Sequence, residues 1–135
     1  MARIYVLDAS ALLHFIDDDS GAARVERLIK DARDTTPLLI SLVNWGEVFY
    51  HQWQERGEET ARRTMSNLAR LPLDLIAVDL AQIMKAGELK AVHKIPYVDC
   101  IAAALAVVRQ ATLVTSDRDF DKLGRQFPVL WVGRA

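Results

Sequence analysis

Four acids, Asp8, Glu47, Asp99 and Asp117, each stand where an apolar strand pattern gives way to a helix or loop. Asp8 closes Ile4-Tyr5-Val6-Leu7, Asp99 follows Pro96 at the head of an alanine-rich apolar helix, and Asp117 comes just after Thr112-Leu113-Val114-Thr115. If these strands are parallel neighbours in one sheet, their carboxyl ends bring the acids to a single rim, the usual ligand crevice of open α/β sheets. Carboxylates gathered there repel one another and call for a divalent cation. Glu47 joins the set through helical phase: spacing puts Asn44, Glu47 and His51 on one face and Trp45, Phe49 and Trp53 on the opposite one. Taken singly, each acid has an ordinary explanation: a turn former at Asp8, a solvated helix glutamate at Glu47, a helix-start acid at Asp99. Their joint order is what carries weight. Asp119, two residues after Asp117, is either a further ligand or a supporting acid. Ser10 reads as a helix N-cap. Cys100 reads as a small buried residue, because no second cysteine exists and no histidine stands beside it.

The elements that must position these residues follow from periodicity and punctuation. Ile4 to Leu7 is an uninterrupted apolar run, as expected of a strand buried on both faces. A short helix over Ala11-Leu12-Leu13 and a second from Gly21 to Lys30 precede a strand, Leu38-Leu39-Ile40, that Pro37 opens. A helix from about Leu42 to Gln54 carries Glu47 in its second turn and stops at Gly57. An amphipathic helix from Glu58 to about Leu71 turns Ala61, Met65, Leu68 and Leu71 to one side. Leu75 to Val78 is the third strand. Asp79 caps a helix from Leu80 to Val92, with Ile83, Met84 and Leu89 expected inward. The Asp99 helix is small enough to lie close against a sheet, and strands Thr112 to Thr115 and Val129 to Val132 finish the pattern. Strands alternating with helices predict right-handed crossovers and a mainly parallel, roughly five-stranded, three-layer α/β sandwich. No linker or repeat interrupts it, so one domain over 1–135 is expected.

At 135 residues, 51% hydrophobic and 26% charged, the chain has the composition of a soluble globular protein. No apolar run approaches the roughly 20 residues of a membrane span, and the acidic Asp17-Asp18-Asp19 stretch so near the start argues against a secretory signal. A single cysteine fits a reducing compartment, and the cytoplasm is the expectation. The formal charge of −1 conceals a separation. Setting the four candidate ligands aside from the 18 acids leaves 14 against 17 bases, a formal excess of three positive charges compatible with a phosphate-bearing partner. Arg118, Lys94 and Lys122 are candidates for phosphate contacts.

Val6-Leu7-Asp8-Ala9-Ser10-Ala11-Leu12-Leu13, Asn44-Trp45-Gly46-Glu47-Val48, Asp99-Cys100-Ile101-Ala102-Ala103 and Leu113-Val114-Thr115-Ser116-Asp117-Arg118-Asp119-Phe120 occur in that order and span nearly the whole chain. In this order they resemble the four motifs of the PIN domain family, most closely the VapC-type ribonuclease toxins of prokaryotic toxin–antitoxin systems. The resemblance implies a PIN-like fold in which Asp8, Glu47, Asp99 and Asp117 form an acidic quartet and Ser10, Asn44 and Thr115 support it. It implies one or two Mg²⁺ or Mn²⁺ ions, hydrolysis of RNA phosphodiester bonds, a cognate VapB-type antitoxin and a homodimer. Alanine is common in relatives where Cys100 stands, a small-for-small change.

Other chemistries fit less well. A haloacid dehalogenase-like phosphatase carries a second acid two residues after the first, where this chain has Ser10. No P-loop or G-x-G-x-x-G is present. The remaining alternative is a PIN-fold interaction module without activity, and the intact acids argue against it.

Overall fold

The computed structural model describes residues 3–133. Strands β1 (Tyr5–Leu7), β2 (Leu38–Ser41), β3 (Asp74–Ile76), β4 (Thr112–Thr115) and β5 (Val129–Trp131) form one parallel sheet in the order β3-β2-β1-β4-β5. Period-two alternation divides their side chains between two cores. Val6, Leu39 and Leu113 pack on one side with Ala86 of α5 (Leu80–His93) and the apolar run of α6 (Tyr97–Val108). Leu7, Leu38, Ile40 and Val114 pack on the other. There they meet α1 (Ala9–Asp17) and α2 (Ala22–Asp31), with Val48 of α3 (Leu42–Arg56) and Leu68 of α4 (Glu58–Leu68). The result is the three-layer α/β sandwich expected from the alternation of elements.

The first half of the chain steps outward from β1 to β2 and β3, and the second half returns to the other side of β1. The reversal places the switch point between β1 and β4, where a crevice opens beyond the strand ends. α6 approaches closely because its inward positions are small. Every residue from Asp99 to Ala106 is buried, four of them alanine, and the helix touches β1, β2 and β4.

Two local expectations need correction. The N-cap of α1 is Asp8, whose Oδ1 accepts the Ala11 amide at 3.0 Å, and Ser10 lies inside the first turn. The helix therefore starts earlier than expected and ties the acid to its own N-terminus. In α5 the inward residues are Gln82 and Ala86 with half-buried Leu89, whereas Ile83 and Met84 are 38% and 66% exposed. Asp79 sets that phase by accepting the Gln82 amide at 2.9 Å, and the Gln82 side chain donates to the Ala77 carbonyl at 3.0 Å. In this phase the Gln82 amide is buried with its nitrogen bonded and its oxygen without a partner among the described residues, while two apolar side chains stay exposed. Smaller differences lie at ends: α4 stops at Leu68 and β3 at Ile76, within the usual fraying of boundaries.

Candidate metal centre at the switch point of the sheet

β1 and β4 are hydrogen-bonded neighbours, and the Asp8 amide continues their ladder by donating to the Val114 carbonyl at 3.2 Å. Parallel pairing therefore brings the residues after Leu7 and after Thr115 to the same rim. Asp8 is buried and held on both oxygens. Thr115 donates its hydroxyl to Asp8 Oδ2 at 2.5 Å, and Ser10 donates to Oδ1 at 2.7 Å. Each hydroxyl also accepts an amide of the loop after β4: Thr115 Oγ1 from Asp117 at 2.9 Å, Ser10 Oγ from Ser116 at 3.0 Å. Two small side chains thus lock the first acid to the backbone that carries the fourth.

Asp117 caps the 3-10 helix Arg118–Leu123 by accepting the Asp119 amide at 2.9 Å. That turn brings Asp119 round toward the same space. Asp99, Asp117 and Asp119 each offer a carboxylate oxygen, and the three oxygens lie within 4.8 Å of one another. The sequence left Asp119 open between ligand and supporting acid, and the geometry groups it with Asp117 and Asp99. Glu47, half-buried on α3, has one oxygen bonded by the Asn44 amide at 3.1 Å. Glu47 and Asp8 flank the triplet, close enough for their charges to act on Asp99.

Burial first, and then the charges of Asp117, Asp8, Glu47 and Asp119, push the Asp99 carboxyl up to about 7. Burial raises Asp8 to about 6 against the bonds from Thr115, Ala11 and Ser10, with the Asp117 charge adding a smaller push upward. The charges of the other four acids thus act on Asp99, and three of the five, Asp99, Asp117 and Asp119, have oxygens within 4.8 Å of one another. None of the five has a cationic partner among the described residues, where the ion pairs lie elsewhere. Several hard oxygen donors without a positive charge form a set suited to Mg²⁺ or Mn²⁺. Asn44 Oδ1 is buried without a hydrogen-bond partner and adds a further unused oxygen on the Glu47 face.

Other residues singled out by type lie around this centre without forming it. Arg118 stacks its guanidinium 4.1 Å from the centroid of Trp131 and pairs with Asp121 at 3.1 Å, while Lys94 and Lys122 are exposed. His51 Nε2 sits 3.6 Å from Glu55. Phe49 and Trp53 meet edge to face under Arg62 of α4 instead of entering the main core. Cys100 is buried, as its neighbours in α6 are. His14 escapes the sequence reading altogether: its Nε2 lies 2.9 Å from Ser116 Oγ in the acid-bearing loop. The one available signal was its helical spacing of four from Ser10.

Fold and site together define a parallel α/β architecture with carboxylates at its switch point. The PIN domain family matches residues 5–126, and the chain belongs to that family. No curated protein matches the chain by sequence. Solved structures do match by fold. A VapBC2 complex from Rickettsia felis, bound to a DNA fragment from its promoter, contains a chain 21% identical, with a TM-score of 0.77 over 96% of this chain and 99% of that one. VapBC-1 from nontypeable Haemophilus influenzae gives 16% identity and 0.76 over 94% and 96%. VapC20 of Mycobacterium tuberculosis, a toxin that cleaves the sarcin-ricin loop, gives 17% and 0.72 over 89% and 95%. No helix among the described residues is long and apolar enough to cross a membrane.

Proposed function

We propose that this chain is a metal-dependent endoribonuclease, the toxin of a VapBC-type pair, acting as a single PIN-like domain in the cytoplasm. The observation that carries this reading is the unpaired carboxylate cluster, Asp8, Glu47, Asp99, Asp117 and Asp119, at the switch point of a PIN-family sheet. VapC20, a fold relative, is a toxin that cleaves the sarcin-ricin loop, and RNA is the substrate class proposed for this chain.

Asp99, Asp117 and Asp119 would hold one or two Mg²⁺ or Mn²⁺ ions, with Asp8 and Glu47 completing the negative wall. Such an ion would supply the positive charge needed to polarise a scissile phosphate and to make water a competent nucleophile near neutral pH. The chain's part is to fix those carboxylates before substrate arrives. Thr115 and Ser10 hold Asp8 by both oxygens, and the Asp119 amide holds Asp117, so little reorganisation is left for the reaction. No side chain need act as a covalent nucleophile.

The proposed partners are a VapB-type antitoxin and a second copy of the chain. Fold relatives occur in such complexes, including a toxin–antitoxin complex from Klebsiella pneumoniae. Apolar surface for them is present on α3, at Tyr50 and Trp53, and on α5, at Leu80, Met84 and Val92.

The test is cleavage of total RNA by the purified chain with Mg²⁺ or Mn²⁺, beside Asp8→Asn. The wild type is expected to cleave, with loss on chelation and a drop of at least about 100-fold in the variant, by analogy with the loss of one preorganised charge-stabilising group. Equal cleavage by both proteins would identify a contaminant and overturn the reading.

A further inference from the structure

His14 belongs to none of the four motifs, yet it is fixed as firmly as the acids. Its Nδ1 lies 2.5 Å from Asp19 Oδ1 and its Nε2 2.9 Å from Ser116 Oγ, across 102 positions of sequence. Asp19 is itself anchored, accepting the Gly21 amide at 3.0 Å. That amide first, and the His14 ring second, hold the Asp19 carboxyl below the usual carboxylate range. An ionised Asp19 makes Nδ1 the donor, so in the neutral ring Nε2 is an acceptor for the Ser116 hydroxyl proton.

Two glycines make room for the ring. A Cβ at Gly21 would stand 2.9 Å from His14 Cγ, and one at Gly133 would stand 2.7 Å from His14 Nε2. Both distances are shorter than real side chains tolerate, so the imidazole occupies a slot available only between two residues without side chains. The structure therefore joins α1, the α1–α2 turn, the loop after β4 and the residues after β5 through one ring.

We propose that His14 is a positioning residue for the metal centre, holding the Ser116–Asp117 peptide at the height where Asp117 meets Asp99 and Asp119. The Ser116 amide donates to Ser10, which donates to Asp8, so the contact at Ser116 Oγ is the outer end of a chain of bonds that begins at the first acid. Ser116 is held from both sides: by Ser10 through its amide and by His14 through its hydroxyl. This inference rests on the metal-nuclease reading and extends it to a residue outside the acid set.

The two ring nitrogens can be separated by substitution. Glutamine places its terminal amide about where Nε2 lies and keeps the Ser116 contact, whereas asparagine reaches only to the position of Nδ1 and keeps the Asp19 contact. Melting of the full chain is followed while Mn²⁺ is titrated into the wild type, His14→Ala, His14→Asn and His14→Gln. Partners one step behind ligands typically change metal affinity by about 10- to 100-fold, and this contact lies further out. The Ala and Asn variants are expected to need about 5- to 10-fold more Mn²⁺ for the same melting shift, and the Gln variant to stay within about 2-fold of the wild type. If His14→Ala does not fold, Ser116→Ala removes the same contact from the other side and is expected to show the same weakening.

Unchanged Mn²⁺ dependence in the variants would overturn the positioning role, as would equal weakening in all three His14 variants, the mark of lost packing. A wild type that does not respond to Mn²⁺ would overturn the metal reading and this inference together. A responsive wild type with unaffected variants would remove only the inference.

Discussion

Asp99 is the acid whose surroundings oppose its charge most. Its ordinary value is 3.8, and burial with the charges of Asp117, Asp8, Glu47 and Asp119 raises it to about 7 in the folded chain. Between about pH 4 and pH 7 the native state thus holds a proton that the unfolded chain has released. The stabilisation is present below about pH 4 and is lost as pH rises through about 7, so the metal-free protein should lose stability across that interval. Asp99→Asn removes the ionisation and keeps the shape. It is expected to flatten this part of the profile and to raise the metal-free melting temperature at pH 7.5 by about 4 °C, as a stabilisation of roughly 1 kcal/mol would. Differential scanning calorimetry with chelator, from pH 4.5 to 8, measures both effects; a steeper or unchanged slope in the variant would reject the cause assigned to Asp99. At this scale the sequence was informative where an acid directly follows an apolar run, as Asp8 does, or stands just beyond a strand's end, as Asp117 does. It could not show that Asp119 turns back toward Asp117, because that depends on a 3-10 turn closed by a side-chain cap. His14 was hidden because its meaning lies in a contact with Ser116, far along the chain.

Among the elements, strands and the burial of α6 were legible because their apolar runs admit few alternatives. The facing of α5 was not. Ile83, Met84 and Leu89 look like a core stripe, but only Leu89 packs inward, and with the Asp79 cap and the bond from Gln82 to Ala77 the buried positions are Gln82 and Ala86. A hydrophobic count does not register a capping carboxylate or a buried amide bonded through its nitrogen, and here both go with the rotation of the helix. The phase can be tested by substitution. Met84→Lys, at a position 66% exposed, is expected to change stability by less than about 0.5 kcal/mol in urea unfolding of dilute protein. Ala86→Leu, at a fully buried position, is expected to cost about 1–3 kcal/mol through overpacking. The opposite ranking would restore the phase read from the apolar pattern. The Asp8 cap teaches the same lesson on α1: the acid that looked like the end of a strand also begins a helix, and this dual role orients its carboxylate.

Across the whole molecule, the parallel class followed from alternation, whereas the strand order did not, since no local signal says that the chain returns to the far side of β1. That return converts acids separated by more than a hundred residues into neighbours. It also concentrates negative charge at one rim of a chain whose formal total is only −1. A cation that binds this rim and has no site on the unfolded chain must raise stability, by about 2.7 kcal/mol at a hundred times its dissociation constant. For a chain of this length that is a melting shift of about 10 °C. Protons compete for the same oxygens, because Asp99 titrates at about 7 and Asp8 at about 6 in the metal-free fold. At fixed Mn²⁺ the shift should therefore be large at pH 7.5 and fall to a small fraction at pH 5.5, the reverse of the trend in the metal-free protein. Melting curves at the two pH values, with and without Mn²⁺, separate the effects, and an Asp99→Asn, Asp117→Asn double variant is expected to show no shift at either. An equal shift at both pH values, or a shift retained by the double variant, would mean that the ion binds elsewhere and that the five acids stabilise nothing by converging.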